Sequence, residues 1–241
     1  MELIHISAAY SNAVLVAILP HVSDFAKKLE LPIPQPITVE QVLWFRQLPY
    51  KDEIGGGLEL TNHYWFSYDW HGYVNGFRSP NDPFTDQDPA RNWPNYVGKA
   101  NMTTNAAIEF ARQSLSKLGY SPANVHADGQ PTDIKGPYHR EKNGAEIPFY
   151  RIYWEGPAAE TPNEVRNRDE VRIDIDLSFR RVVGLSLSCT NAWRAPPEIG
   201  IQPELESDYL KRTKPRSAKM FIRTNAPARV EQPRTTLPRE P

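Results

Sequence analysis

Residues 171–187 read VRIDIDLSFRRVVGLSL, and this stretch determines the fold class. Apolar and polar residues alternate along its first arm, which is the period of a strand with one buried face. The second arm, which reaches Cys189, alternates in the same way, so the two arms predict an antiparallel hairpin. Asp174 and Asp176 fall between the apolar positions, and we expect them to face solvent. Cys189 falls on the apolar face, where we expect a small core residue.

A helix and further strands precede this hairpin. Thr103 has the side chain of an N-cap residue, and apolar residues at helical spacing follow it as far as Leu118. A candidate strand covers 131–140, and residues 147–155 form a strand rich in β-branched and aromatic side chains. The second half therefore reads as one helix followed by three or four antiparallel strands.

The first half of the chain repeats this order. Residues 11–29 carry the apolar stripe of an amphipathic helix, with Pro20 inside it, where we expect a kink or a break. Residues 37–48 are extended, 58–70 alternate as a single strand, and 73–77 return as its partner. We therefore predict an α+β protein of two similar units, each a helix packed on a short antiparallel sheet, with an irregular C-terminal tail.

Composition places the boundaries of these units. We predict a first unit over 1–80, a proline-rich linker over 81–101, a second unit over 102–195 and a basic, proline-rich tail over 196–241. The formal net charge is −1, from 28 basic and 29 acidic residues, yet 209–241 alone hold nine basic and two acidic residues. Because opposite charges attract, we expect the tail to lie on the acidic body and to be released by salt.

Three segments of the second half share a pattern with a known family. They are MTTNAAIEFARQSLSKLGY (102–120), PFYRIYWEG (148–156) and VRIDIDLSFRRVVGLSL (171–187). Together they resemble a PepSY-like module of the cystatin-like class, and 11–78 resemble a degraded first copy. At the hairpin tip, Phe179-Arg180-Arg181 stands where the family usually has a glycine. The resemblance implies binding or inhibition of proteases, and hence a protein or peptide partner, and it brings no catalytic residues.

The sequence contains no recognisable set of catalytic residues. The chain lacks the motifs of the common serine hydrolases, zinc metalloproteases and phosphate-binding loops, and its single cysteine excludes a Cys-rich zinc module. We therefore expect a non-enzymatic protein without a cofactor, a metal or a catalytic residue. The alternative is a small hydrolase or isomerase with a helix–sheet cavity, in which His63, His71 and Asp69 would have to converge.

The segment 64–77 is the densest aromatic stretch, with seven aromatic residues in fourteen. Alternation buries only one face of the hairpin, so Trp65 and Tyr73 are expected on the other face. Packing against the second unit is one use for them, and contact with a peptide or a sugar is another. The predicted partner surface consists of Trp65, Tyr73, His63, His71 and Asp69.

The basic tail supports a third hypothesis, binding to an anionic surface or a nucleic acid. It has few aromatic residues to stack on bases, so we expect no nucleic-acid partner. The apolar run 13–19 is too short to span a bilayer, and no Lys or Arg precedes it as in a secretory signal. We predict a soluble protein without a signal peptide as written. A start upstream of Met1 would leave export open, and the oligomeric state also stays open.

Overall fold

The structure, a computed structural model, describes residues 2–51, 55–69, 71–80, 82, 99–139, 146–156, 169–188 and 199–213. It is a mixed α+β fold with three α-helices and a large antiparallel sheet. The helices are α1 (Ala8–Lys28), α2 (Thr104–Lys117) and α3 (Glu206–Thr213). The strands are β1 (Ile4–His5), β2 (Val42–Gln47), β3 (Gly56–Leu60), β4 (Trp65–Tyr68), β5 (Val74–Arg78), β6 (Asp133–Lys135), β7 (Tyr138–His139), β8 (Glu146–Ile147), β9 (Phe149–Glu155), β10 (Glu170–Asp176), β11 (Arg181–Ser188) and β12 (Glu204–Leu205).

Eight strands form one antiparallel sheet in the order β2-β3-β4-β5-β11-β10-β9-β6. The last strand of the first half, β5, pairs with the last strand of the second half, β11, so that Phe77 lies opposite Leu185. The sheet is therefore continuous between the two halves of the chain, and β2 and β6 are its edges. This strand order does not test the similarity of the two halves, which stays a prediction.

Helix α1 begins where the Ser7 hydroxyl accepts a hydrogen bond from the backbone N–H of Tyr10 (3.1 Å), an N-cap contact. Val14, Ile18 and Val22 follow at helical spacing and are fully buried. Pro20 lies inside the helix, and the predicted break does not occur there. Proline removes a single hydrogen-bond donor from a helix, and the buried stripe on both sides of Pro20 holds this helix together.

Helix α2 has the predicted ends. The Thr103 hydroxyl accepts the N–H of Ala106 (3.3 Å), which confirms Thr103 as the N-cap. Gly119 adopts a φ of 83° directly after the last turn, a conformation that glycine reaches without strain. Ala107 and Leu115 are fully buried against the sheet, so the small and large apolar residues of this stripe face the core as predicted.

Residues 58–70 do not form one strand, as the alternation predicted, but a hairpin of β3 and β4. His63 donates its N–H to the Leu60 carbonyl (2.8 Å) and has a φ of 64°, so Thr61, Asn62 and His63 form a three-residue turn. Leu58 and Phe66 then lie opposite each other, and both are fully buried. Because the buried side chains stay on one face through this turn, alternation alone did not reveal it.

One hydrophobic cluster spans both halves of the molecule. Val22 of α1, Phe77 of β5, Leu115 of α2 and Leu185 of β11 all belong to it, and each is buried. A second, smaller cluster of Ile147, Phe149 and Val183 lies on the opposite face of the sheet, with Tyr138 packed against it. The sheet is therefore covered on both faces over its second half.

Candidate functional site

Three of the predicted site residues lie together at the turn between β4 and β5. The Oδ1 atom of Asp69 accepts the backbone N–H groups of His71 (2.9 Å) and Tyr73 (3.0 Å). The N–H of Asp69 donates to the Tyr73 carbonyl (2.9 Å). A carboxylate that accepts two backbone donors holds a turn in place, so the geometry gives Asp69 a structural role here.

His63 lies at the other end of β4, in the turn that joins β3 to β4. Its Nδ1 is 2.9 Å from Oε1 of Glu59, and its side chain is 67% exposed. Strand β4 has four residues, which separate this turn from the turn of Asp69 and His71 by about 13 Å at ~3.3 Å per residue. The structure therefore does not bring together the three side chains that the hydrolase hypothesis requires.

Trp65, the first residue of β4, is half-buried. It lies opposite Arg78 of β5, and the Arg78 guanidinium is 5.7 Å from the centre of the Trp65 ring. Such a cation–π contact stabilises a fold by about 0.5–1 kcal/mol at an exposed site. The indole of Trp65 is therefore engaged by an arginine of the same sheet.

Tyr73 lines a small cavity between α1 and the turn that follows β4. Its ring meets that of His21 edge-on, with the ring centres 5.5 Å apart. Asp24, Lys28 and Tyr120 complete the polar lining of this cavity, whose volume is about 40 Å³. Ligand pockets usually enclose about 300–1,000 Å³, so this cavity is too small for an organic substrate.

Several predictions concern positions outside the described residues. These positions are Trp70, Cys189, most of the linker (83–98) and the tail from residue 214 onward. Among the residues that the structure describes, no cluster of three His, Cys, Asp or Glu side chains could hold a metal ion. Within the same ranges, no helix has both the length and the apolar character needed to cross a membrane.

Asp174 and Asp176 are fully buried, so the prediction that they face solvent is wrong. Arg151 donates from Nε (2.7 Å) and from Nη2 (3.0 Å) to the two carboxylate oxygens of Asp174. Oδ1 of Asp176 accepts the N–H groups of Ser178 (3.0 Å) and Phe179 (3.2 Å). Asp174 thus forms a bidentate ion pair, and Asp176 holds the turn between β10 and β11.

The ionisable groups beside these two aspartates, Arg151 and Tyr138, are partly buried. Burial disfavours the charge of Arg151, but the hydrogen bonds and attraction of Asp174 outweigh that effect and raise the pKa of Arg151 above its usual value. Burial also raises the pKa of the neighbouring Tyr138 hydroxyl to about 12. An alternating sequence predicts a strand with one buried face and one exposed face. Here β7 and β8 cover the face that was expected to be exposed, so the pattern did not reveal the burial of Asp174.

Two adjacent exposed apolar side chains lie elsewhere, on the edge strand β2. Leu43 is 57% exposed and Trp44 is 44% exposed. The pairing of β2 with β3 shifts register between Val42 and Trp44, which leaves Leu43 outside the regular ladder. In the part of the chain that the structure describes, no strand covers the outer edge of β2.

An open groove of about 680 Å³ adjoins the start of this strand, between α1 and the segment 36–40. Val16 of α1 is 52% exposed and Val39 is 38% exposed at this groove. Leu19 and Ile37 contribute further apolar lining, and Glu40 contributes its charge. The groove and the edge strand β2 follow each other along the chain through the turn Val39–Gln41, and together they make up one candidate surface. We call it the β2 surface, comprising Val42–Gln47 and the groove.

The sequence did contain a signal for this site. Strand β2 reads VLWFRQ, with four consecutive apolar residues and no acidic residue. The opposite edge strand, β6, reads DIK and is only three residues long. Natural edge strands are usually short or charged, because unpaired apolar edges attract other chains. The composition of β2 is therefore unusual for an edge, but only the strand order shows that β2 is one.

The β2 surface is the candidate functional site, because its apolar side chains are exposed and no strand of the described residues pairs with its outer edge. Of the predicted residues, Asp69 holds a turn, Trp65 contacts an arginine and Tyr73 lines a cavity of about 40 Å³. No protein-family model, no curated protein and no solved structure matches the chain.

Proposed function

We propose that this is a non-enzymatic binding protein, which takes up an extended segment of a partner protein along the outer edge of β2. The observation that carries the proposal is the β2 edge, where Leu43 and Trp44 are exposed on a strand that, within the described ranges, pairs on one side only. An added strand would receive main-chain hydrogen bonds from β2. Affinity would come from those bonds and from the burial of apolar side chains.

The groove defines the chemistry of the partner segment. Alternate side chains of an extended segment point to the same face, so a segment that runs on past Val42 would bring alternate residues to the groove lined by Val16, Ile37 and Val39. Apolar side chains that bury this surface gain about 25 cal/mol per Å² of area removed from water. Glu40 favours a Lys or Arg at one end of the segment. The proposed partner is therefore an extended, apolar segment with a basic residue.

The proposal includes the architecture expected from the sequence, two similar PepSY-like units. Its support is that each half runs from a helix into antiparallel strands, and that β5 and β11 meet at the centre of the sheet. Inhibition of a partner protease, which the PepSY resemblance implies, is one form of such binding. The hydrolase alternative draws no support, because His63 and His71 lie at opposite ends of β4.

Peptide selection tests this function. A random twelve-residue display library is selected on the full chain and on its Leu43→Lys/Trp44→Lys variant, with Phe179→Lys as the control. Phe179 is 65% exposed at the turn after β10, so the control changes an exposed apolar residue elsewhere. We expect selected peptides with alternating apolar residues, whose affinity falls at least tenfold in the β2 variant and stays unchanged in the control.

The bound peptides should also slow hydrogen exchange of the β2 amides that face away from β3. Two results would overturn the proposal. One is a selection that yields no binder. The other is a set of binders that leave the exchange of Val42–Gln47 unchanged.

A further inference from the structure

We infer that the outer edge of β2 pairs with β2 of a second copy of this chain, antiparallel and about a two-fold axis at Phe45. The inference rests on the proposed function, the uptake of an extended segment along β2, and names one segment that the edge accepts. It follows from the direction of the backbone amides of β2, from its exposed side chains and from the charges at its two ends.

Every second residue of β2 turns its backbone N–H and C=O groups away from β3. Leu48 donates its N–H to the Gly55 carbonyl on the β3 side (2.7 Å), so the residues two and four positions before it also face β3. Pro49 faces the other way, where its carbonyl accepts the N–H of Ile4 (3.0 Å). Phe45 has the parity of Pro49, so its N–H points outward, to the side where no strand of the described ranges lies along β2.

A second β2 fits this edge in an antiparallel register centred on Phe45. The Phe45 residues of the two copies lie opposite each other on the two-fold axis and exchange both of their backbone hydrogen bonds. The pairing covers residues 43–47 and stops before Pro49, where β1 already covers the edge. All neighbouring strands of the eight-stranded sheet are antiparallel, so the added strand continues its pattern.

This register places Trp44 of each copy opposite Arg46 of the other. Both side chains are exposed, and they lie on the sheet face opposite Phe45, which packs against the core. Trp65 and Arg78 lie opposite each other in the same way within the sheet, with the guanidinium 5.7 Å from the ring centre. The dimer therefore repeats, twice, a cation–π pair that the sheet already contains.

The neighbouring registers lose these contacts. A slip of two residues in one direction places Arg46 opposite Arg46, and like charges directly opposite each other are destabilising. A slip of two residues in the other direction places Trp44 opposite Trp44 and Arg46 opposite Val42, so that no arginine faces an aromatic ring. The side chains of β2 therefore favour the register centred on Phe45.

A second copy also has the chemistry that the β2 surface favours in a partner. Strand β2 reads VLWFRQ, which is an extended apolar segment with a basic residue. Glu40 precedes this strand and Lys51 follows it, so antiparallel pairing brings the acidic start of one strand towards the basic end of the other. The Lys51 side chain is 45% exposed beside Glu2 of its own copy.

The test measures the molar mass of the full-length chain against protein concentration by sedimentation equilibrium. We expect the wild type to rise from the 27.5 kDa of one chain to twice that mass, and the Phe179→Lys control to match it. Trp44→Lys places a second cation opposite Arg46, and Arg46→Glu removes the cation opposite Trp44. Because each change acts twice in a two-fold dimer, we expect each to raise the Kd of the dimer at least about tenfold.

A mixture of these two variants tests the register. In a mixed dimer, the lysine introduced by Trp44→Lys faces the glutamate introduced by Arg46→Glu, and the remaining Arg46 faces the remaining Trp44. We therefore expect the mixture to dimerise about as tightly as the wild type, which also shows that both variants are folded.

Hydrogen exchange supplies a second measurement on the wild type. The Phe45 amide should exchange at least about tenfold more slowly once the dimer predominates, because its hydrogen bond forms only between copies. The amides of Trp44 and Arg46 face β3 within one copy, so their exchange should not depend on protein concentration.

A wild-type chain that keeps the mass of one copy at every concentration would overturn the inference. A dimer that the mixture does not restore, or one in which exchange of the Phe45 amide is independent of concentration, would overturn it as well, since another surface would then join the copies. None of these results touches the proposed function, which peptide selection and peptide protection of β2 measure separately. Conversely, a selection that yields no peptide on the Arg46→Glu variant, beside a dimer that behaves as expected, would overturn the proposed function alone.

Discussion

A single aspartate, Asp174, organises the outer face of the second half of the sheet. Its two oxygens receive Nε and Nη2 of Arg151, and Nε of Arg172 lies 3.6 Å from Oδ2. The Asp174 side chain is completely buried, whereas that of Arg151 is 17% exposed. Loss of one member of such a pair removes the main partner of the other, partly buried charge, which costs more than the pair contributes.

We therefore predict that Asp174→Ala lowers the free energy of unfolding by about 3–5 kcal/mol. The matched control is Asp133→Ala, since Asp133 pairs with Lys135 at 3.5 Å and both side chains are about half exposed. That change should cost no more than about 1 kcal/mol, because solvent screens exposed pairs. Urea denaturation measures both free energies of unfolding. Equal losses in the two variants would contradict the prediction that the buried Asp174 stabilises the fold more than the exposed Asp133 does.

At the scale of elements, β2 and β3 approach closely because Gly56 has no side chain. A Cβ atom at this position would overlap the Arg46 carbonyl and the Tyr68 hydroxyl. These two groups are themselves joined, since Tyr68 donates its hydroxyl hydrogen to the Arg46 carbonyl (2.8 Å). Any side chain at Gly56 must therefore displace β2 from its partner strand.

We predict that Gly56→Ala destabilises the protein by about 1–3 kcal/mol, the usual cost of overpacking. It should also speed hydrogen exchange in β2 more than in β10, because the displaced contact belongs to β2. Gly200→Ala is the control, since a Cβ at Gly200 has no neighbour within 4 Å. Its effect should stay within about 0.5 kcal/mol. Uniform loss of protection in both strands would show that β2 is not displaced separately.

The elements themselves could be predicted from sequence, because each depends on local spacing. The stripe of α2, its cap at Thr103 and the arms of β10 and β11 follow from periodicities of 3.6 and 2. Burial of Asp174 and the open edge of β2 could not be predicted in this way. Both depend on which strands become neighbours, and that pairing joins residues far apart in the chain, such as Phe77 and Leu185.

A local turn, not non-local pairing, separated the predicted site residues. His63 and Asp69 have the same parity in an uninterrupted strand, which suggested one face and a shared site. The turn at Thr61–Asn62–His63 removes His63 from the strand, so that β4 lies between the two residues. An Asn before a positive-φ residue was the local signal for this turn.

At the scale of the whole molecule, the two halves share a sheet and a core. Strand β5 pairs with β11, and the fully buried Phe77 lies opposite Leu185 at this junction. Gly76, opposite Ser186, allows close contact, since a Cβ there would come within 3.0 Å of the Leu185 carbonyl. Neither half could unfold without exposing core residues of the other, so we expect one cooperative transition.

We predict that Phe66→Ala in the first half reduces hydrogen-exchange protection in β9 and β10 of the second half as much as in β3 and β4. Phe66 is fully buried, and its removal should cost about 3–5 kcal/mol. If all four strands open only by global unfolding, each loses protection by the same factor. Exchange in urea followed by mass spectrometry measures the two halves in one experiment.

The reciprocal change is Trp154→Ala in β9, where the fully buried indole also donates to the Gly129 carbonyl (3.1 Å). It should lower the urea midpoint of β3 and β4 together with that of β9 and β10. If either substitution left the midpoint of the other half unchanged, the halves would be independent folding units that merely share a sheet edge. The β5–β11 junction, with Phe77 and Leu185 buried, instead predicts that the two midpoints move together.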